Sequence, residues 1–147
     1  MKLQQLSLFL ENKPGSLRVP LEALAAADID LLTMSLADTS QFGILRFIVR
    51  DPERARKVLE SAGMVARVTE VIPVEVANKP GGLAEVLAVI EASGLGVEYM
   101  YDFGLASQGG RAAIIFRFED PDVALAILRT AGVRVLSGEE LLVDRPA

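Results

Sequence analysis

Asn12-Lys13-Pro14-Gly15-Ser16-Leu17 returns later in the chain as Asn78-Lys79-Pro80-Gly81-Gly82-Leu83. Each copy follows an apolar, strand-like run and precedes an apolar, helix-like run. Other landmarks recur in step: Asp51-Pro52-Glu53 answers to Asp120-Pro121-Asp122, and Ala62-Gly63 to Ala131-Gly132. A fixed order of landmarks repeated within one chain is the mark of an internal duplication. It divides the 147 residues into two modules, 1–70 and 71–147. A polar loop repeated in this way points to two matched binding stations, not to one catalytic centre.

Working outward from the first loop, Leu6, Leu8 and Leu10 alternate with Gln5, Ser7 and Phe9, the period of a strand with one buried face. Asn-Lys-Pro-Gly is turn chemistry. Ser16 is the expected N-cap of a helix through Ala27, with Leu17, Leu21 and Leu24 on its core face. Pro20 lies early enough to make that helix start irregular. Ile29 to Asp38 and Phe42 to Arg50 read as strands joined by a polar hairpin at Thr39-Ser40-Gln41. Asp51 caps a helix that opens on Pro52, buries Val58, Leu59 and Ala62, and stops at Gly63. Val65 to Thr69 supplies a fourth strand.

The second copy repeats the order. Ile72, Val74 and Val76 alternate, with Pro73 marking an irregular start or an edge. A helix from Gly82 to Ser93 turns Leu83, Val86, Leu87 and Ile90 inward. Leu95, Val97 and Tyr99 alternate along the next strand, which puts Tyr99 under the helices. Ala113 to Phe118 follows, with Ile114, Phe116 and Phe118 inward. Asp120-Pro121 opens the last helix, and Val133, Val135 and Leu136 open the last strand. The loop Ala106-Ser107-Gln108-Gly109-Gly110 is longer than its counterpart. A repeated βαββαβ unit is an α+β, ferredoxin-like arrangement: an antiparallel sheet with both helices on one face. Phe9, Ile44, Ile48 and Ile115 are the apolar candidates for the other face.

Composition narrows the function. The chain is 51% hydrophobic and 24% charged, as a globular protein is. Its net charge of −5 disfavours a nucleic-acid surface, which needs clustered Lys and Arg. The third strands also lack the paired exposed aromatics with which RNA-binding βαββαβ domains stack bases. Histidine and cysteine are both absent, which removes the commonest general base, thiolate chemistry and the usual metal ligands. Asp28, Asp30, Glu139 and Glu140 read as solvated acids without the spacing of a calcium loop. Asp102-Phe103-Gly104 has no accompanying phosphate loop. Gly94 and Gly96 follow a helix instead of opening one, unlike a dinucleotide fingerprint. No metal and no cofactor is therefore expected. No apolar run is long enough to span a bilayer, and the N-terminus lacks a signal-peptide layout, so a cytoplasmic protein with no membrane partner is expected.

Two βαββαβ units, each with Asn-x-Pro-Gly-x-Leu between first strand and first helix, resemble the ACT domain. That family comprises small regulatory modules that bind amino acids and related metabolites. The resemblance covers nearly the whole chain and is nearest to free-standing tandem pairs without an attached enzyme. It implies a ligand-binding regulatory protein that is not an enzyme, with an amino-acid ligand at the module interface near the loops. A regulatory subunit docked on an amino-acid biosynthetic enzyme is the alternative. Carried over by residue, the resemblance marks Asn12, Gly15, Asn78 and Gly81.

The residues themselves fit such a station. A helix N-terminus presents unpaired amides and partial positive charge to a carboxylate. Asparagine offers an acceptor and donors. Glycine admits close approach, and proline fixes the loop beforehand. The candidate ligand-binding set is Asn12, Lys13, Pro14, Gly15, Ser16, Leu17, Asn78, Lys79, Pro80, Gly81, Gly82 and Leu83, with Met100 and Tyr101 on the strand beside the second loop. Gly82 in place of Ser16 makes the second loop the more open, and so the favoured station. Open sheet edges and a bare sheet face predict a symmetric homodimer.

Overall fold

The computed structural model describes residues 2–38, 40–104 and 110–142. In chain order the elements are β1 (Leu3–Glu11), α1 (Arg18–Ala26), β2 (Thr33–Asp38), β3 (Phe42–Ile48), α2 (Pro52–Ser61), β4 (Arg67–Ala77), α3 (Gly82–Ala92), β5 (Val97–Asp102), β6 (Arg111–Phe118), α4 (Pro121–Thr130) and α5 (Gly138–Leu142). They fall into an N-terminal unit, Gln4–Thr69, and a C-terminal unit, Glu70–Ala147 together with Met1–Leu3. Each carries the two-helix, antiparallel α+β arrangement that the repeat predicts.

In the N-terminal unit the strand order is β2-β3-β1. Leu6 stands opposite Phe47 and Leu8 opposite Leu45, while β2 sets Met34 against Phe47 and Leu36 against Leu45. The alternating leucines of β1 thus share one face with Leu45 and Phe47. Leu24 of α1 and Ala55 and Leu59 of α2 cover that face and complete the core. Val58 is partly buried, as expected, whereas Ala62 is exposed at the C-cap of α2.

The helix starts separate into two kinds. Asp51 accepts from the Arg54 N–H at 3.0 Å, and Asp120 from the N–H groups of Asp122 and Val123, both at 3.1 Å. Each helix has its proline in the first turn, where the lost N–H had no partner. Helix α1 differs from expectation. Ser16 is not its cap: residues 14–17 form turns, and α1 opens at Arg18 with Leu17 in the cap position and no side-chain cap. Val19 N–H already donates to Gly15 O at 3.3 Å, and Pro20, which has no N–H, breaks that ladder at the next residue, which is the irregular start the sequence predicts.

In the C-terminal unit the order is β4-β6-β5. Ile72, Val74 and Val76 of β4 share a core with Phe116, Phe118, Ile90, Ala124 and Leu128. Where the sequence predicts two strands broken near Pro73, β4 is continuous from Arg67 to Ala77. Pro73 acts instead on its neighbour. Leu136 N–H donates to Pro73 O at 2.9 Å, but proline has no N–H to return. The expected last strand is accordingly reduced to a single bridge, Val74 to Val135.

Three further expectations are corrected. A register shift between Val97 and Tyr99 reverses the phase of β5, so Tyr99 pairs with Arg117 and lies away from the helices. Ile48 and Ile115 are buried, not exposed; Phe9 is 67% exposed and stacks on Phe42 at 5.1 Å. The tail after Ser137, unassigned from sequence, forms α5 through a reciprocal cap. Glu140 N–H donates to Ser137 Oγ at 3.1 Å and Ser137 N–H to Glu140 Oε2 at 2.7 Å. The residues expected to form the long second hairpin loop, Ala106 to Gly109, lie outside the described residues.

Candidate functional site

The Asn12–Leu17 loop borders a cavity of about 390 Å³ in the N-terminal unit. That volume lies within the range of small-molecule sites, roughly 300–1,000 Å³. All six loop residues predicted as ligand-binding line it. Leu10, Glu11, Leu36, Asp38 and Gly43, which the sequence did not single out, complete it.

The loop is held from both ends. Lys13 N–H donates to Glu11 O at 3.0 Å and Ser16 N–H to Lys13 O at 3.2 Å, which folds Asn12–Ser16 into consecutive turns. Gly15 takes φ +91°, a conformation that favours glycine, and a β-carbon there would meet nothing within 4 Å. Its role is conformational, and the space beside it is open. Asn12 ties the loop to the β2–β3 hairpin: its N–H donates to Gln41 O at 2.9 Å, and Nδ2 lies 3.4 Å from Ser40 O and 3.5 Å from Asp38 Oδ2.

Register brings in the residues the sequence missed. Gly43 pairs with Leu10 on one side and Asp38 on the other, which sets the three in one row across the sheet. Leu36 lies over Gly43: its Cδ1 is 3.2 Å from where a β-carbon on Gly43 would stand. Lys13 Nζ and Glu11 Oε2 are 3.0 Å apart, an exposed ion pair beside the cavity. Helix α1 starts beside the cavity with no acidic residue in its first turn.

The second loop repeats the turns but not the surroundings. Lys79 N–H donates to Ala77 O at 2.9 Å, Gly82 N–H to Lys79 O at 3.0 Å, and Gly81 has φ +86°. Helix α3 then begins at once, at Gly82. Gly82 is buried, and a β-carbon on it would fall 1.9 Å from Ala77 O. The missing side chain makes room for the protein's own backbone, not for a ligand, which overturns the expectation that Gly82 opens this loop. Asn78 N–H donates to Gly110 O at 2.8 Å, and Lys79 reaches Glu85 at 4.0 Å. Leu83, like Leu17 in the first copy, is partly buried against its unit's core.

Met100 and Tyr101 point to opposite faces of β5. Met100 stands opposite Phe116, a core residue, and Tyr101 opposite Ile115 on the other face, where it stacks with Tyr99 at 6.5 Å. Two residues beyond Met34 comes Leu36; two beyond the matching Met100 comes Asp102, whose carboxylate accepts from Gly104 N–H at 3.0 Å. Among the described residues no group of three His, Cys, Asp or Glu is placed to hold a metal, and no helix is long and apolar enough to cross a membrane.

A duplicated α+β module with matched Pro-Gly loops defines the class. The family model described as an ACT domain pair matches residues 1–143, and the chain belongs to that family. A solved structure of protein BT0572 from Bacteroides thetaiotaomicron is 37% identical, covers 96% of each chain and superposes with a TM-score of 0.86. The ligand-free regulatory subunit of aspartate kinase from Thermus thermophilus is 20% identical over 87% of this chain and 91% of its own, with a TM-score of 0.60. The corresponding subunit from Thermus flavus is 19% identical over 89% and 90%, with a TM-score of 0.59. At these identities the two kinase subunits share the fold. No curated protein matches the sequence.

Proposed function

We propose that this chain is a non-catalytic regulatory module that binds an amino acid or related metabolite at the Asn12–Leu17 loop. The observation that carries the reading is the cavity of about 390 Å³ lined by the whole first loop. A left-handed glycine, an asparagine fixed to the neighbouring hairpin and a helix start without its own acid are the features a zwitterionic head group needs. The chain has no histidine or cysteine, and the charged residues around the cavity are exposed, with Lys13 paired to Glu11. That set is suited to holding a ligand more than to transforming one.

This reading moves the main station from the second loop to the first. The reason is the Ala77 carbonyl, which fills the space Gly82 leaves. A thermal-shift screen against the amino acids tests it, because a ligand that binds only the native state raises the melting temperature by mass action. Absence of a shift from any of them at millimolar concentration would remove the reading. A second reading, a regulatory subunit docked on an amino-acid biosynthetic enzyme, rests on the fold shared with the two kinase subunits. Stoichiometric co-purification of an enzyme would promote it. The reading also includes a symmetric dimer, for which the exposed Phe9–Phe42 pair supplies apolar surface. A monodisperse monomer by light scattering at high concentration would exclude that part.

A further inference from the structure

We propose that the first-loop cavity selects a free α-amino acid with an aliphatic side chain, and that Asp38 is the partner of its ammonium group. This rests on the reading of the loop as an amino-acid station and specifies which amino acids it takes.

The walls are the first argument. Leu10 and Leu17 line the cavity and also pack against the core of their unit, so they form a fixed apolar surface. Leu36 closes the set from the edge strand while leaving 48% of its own surface exposed. A side chain that covers three leucines gains in proportion to the apolar area removed from water. A polar one would leave its hydrogen-bonding groups without partners on that wall.

The charges are the second. Among the described residues three charged groups line the cavity, and Glu11 and Lys13 are engaged with each other at 3.0 Å. Among the described residues Asp38 meets Asn12 Nδ2 through one oxygen, at a long 3.5 Å. It is therefore the acceptor best placed for a cation at the cavity. One carboxylate serves one ammonium group. A ligand with a second, side-chain cation would leave one of its two charges unmatched. A ligand with a side-chain carboxylate would face Asp38 and Glu11 with only the committed Lys13 to offset them. The α-carboxylate is assigned to the turn that leads into α1, where no residue of the first turn is acidic and no side chain caps the helix; Val19 N–H is already engaged with Gly15 O and Pro20 has none, so the contact falls to the amides before them.

The duplicate supplies a contrast within the same molecule. Where the first copy has Leu36 and Asp38, the second has Asp102 and Gly104, so neither side chain recurs at its matching position.

Calorimetric titration of the intact protein tests the assignment. Leucine, isoleucine and valine should each bind at least about tenfold more tightly than aspartate, lysine or serine. Two truncated forms of leucine divide the head group: 4-methylpentanoate lacks the ammonium and 3-methylbutylamine lacks the carboxylate, and both should bind at least about tenfold more weakly than leucine. Asp38→Asn should weaken leucine by a similar factor and should not weaken 4-methylpentanoate, an outcome that a folding defect cannot mimic. Leu36→Asp should weaken all three aliphatic ligands. Tightest binding by a charged or hydroxylated amino acid, or equal leucine affinity in Asp38→Asn, would overturn the inference while leaving the amino-acid station standing. Failure of every amino acid to bind would remove both.

Discussion

The carbonyl oxygen of Ala77 lies 1.9 Å from the point that a β-carbon on Gly82 would occupy. Gly82 is thus a packing glycine, unlike Gly81 beside it, whose side-chain direction is open. Gly82→Ser, the residue found at the matching position of the first copy, should destabilise the protein by about 1–3 kcal/mol through forced displacement of the Ala77 backbone. Urea unfolding measures this. Parental stability in the variant would show that the carbonyl moves aside at little cost.

Gly15 and Gly81 make a matched pair, with φ of +91° and +86° and nothing near the missing side chain. Valine at either position should cost about 1–3 kcal/mol of stability from backbone strain alone. Only Gly15→Val should also abolish amino-acid binding. Loss of binding in Gly81→Val instead would return the main station to the second loop.

Asn12 holds its loop to Ser40 and Asp38 through one amide group. Asn12→Ala should weaken the ligand about tenfold, by freeing the loop and removing a polar partner. Asn78→Ala should leave affinity unchanged. Titration of both variants, with circular dichroism as the folding control, checks the pair.

Asp120 accepts two N–H groups at the start of α4. Asp120→Ala should lower stability by about 1 kcal/mol. A thermal melt gives the answer, and an unchanged midpoint would mean that water replaces the cap without cost.

Glu140 is held below its ordinary carboxylate value of 4.5, chiefly by the Ser137 N–H and further by the Ser137 hydroxyl and Arg134, against a smaller opposing effect of desolvation. A depressed native value stabilises the fold at pH above the ordinary value. That contribution is lost as pH falls through the lowered one. Protection of the Leu141 amide, which donates to Ser137 O at 3.2 Å, should therefore decline as the pH is lowered below the ordinary carboxylate value. Glu140→Gln should remove that pH dependence. Protection that is flat with pH in the parent would count against the cap.

The local chemistry of the chain was legible because short-range rules govern it. The Asp-Pro helix starts, the alternating leucines of β1 and the Asn-Lys-Pro-Gly turns depend on residues within a few positions of one another. The misreadings are non-local. Tyr99 changes faces because of a one-residue shift against β6, and nothing in Val97-Glu98-Tyr99 announces a bulge. Ser16 has the chemistry of a cap, yet it lies within the turns at 14–17 and α1 opens only at Arg18. The candidate site divides along the same line. The loop was readable as a motif, but Leu36, Asp38 and Gly43 join it only through strand register, and Gly82 was misread because its contact is with backbone that no side-chain pattern encodes.

One consequence of the Leu36–Gly43 contact concerns how such a site changes over evolutionary time. Leu36 lies close over Gly43, with Cδ1 3.2 Å from a would-be β-carbon, so a side chain there would shift Leu36 by a few tenths of an ångström. Leu36 belongs to β2, at the outer end of its unit's strand order, where a substitution disturbs few neighbours. The width and polarity of the cavity are thus set by a lightly constrained edge, while the Asn-Lys-Pro-Gly loop is bound by its own geometry. On the proposed function, a lineage could exchange one ligand for another at positions 36 and 43 and keep its signature intact, so two relatives with identical loops need not answer to the same metabolite.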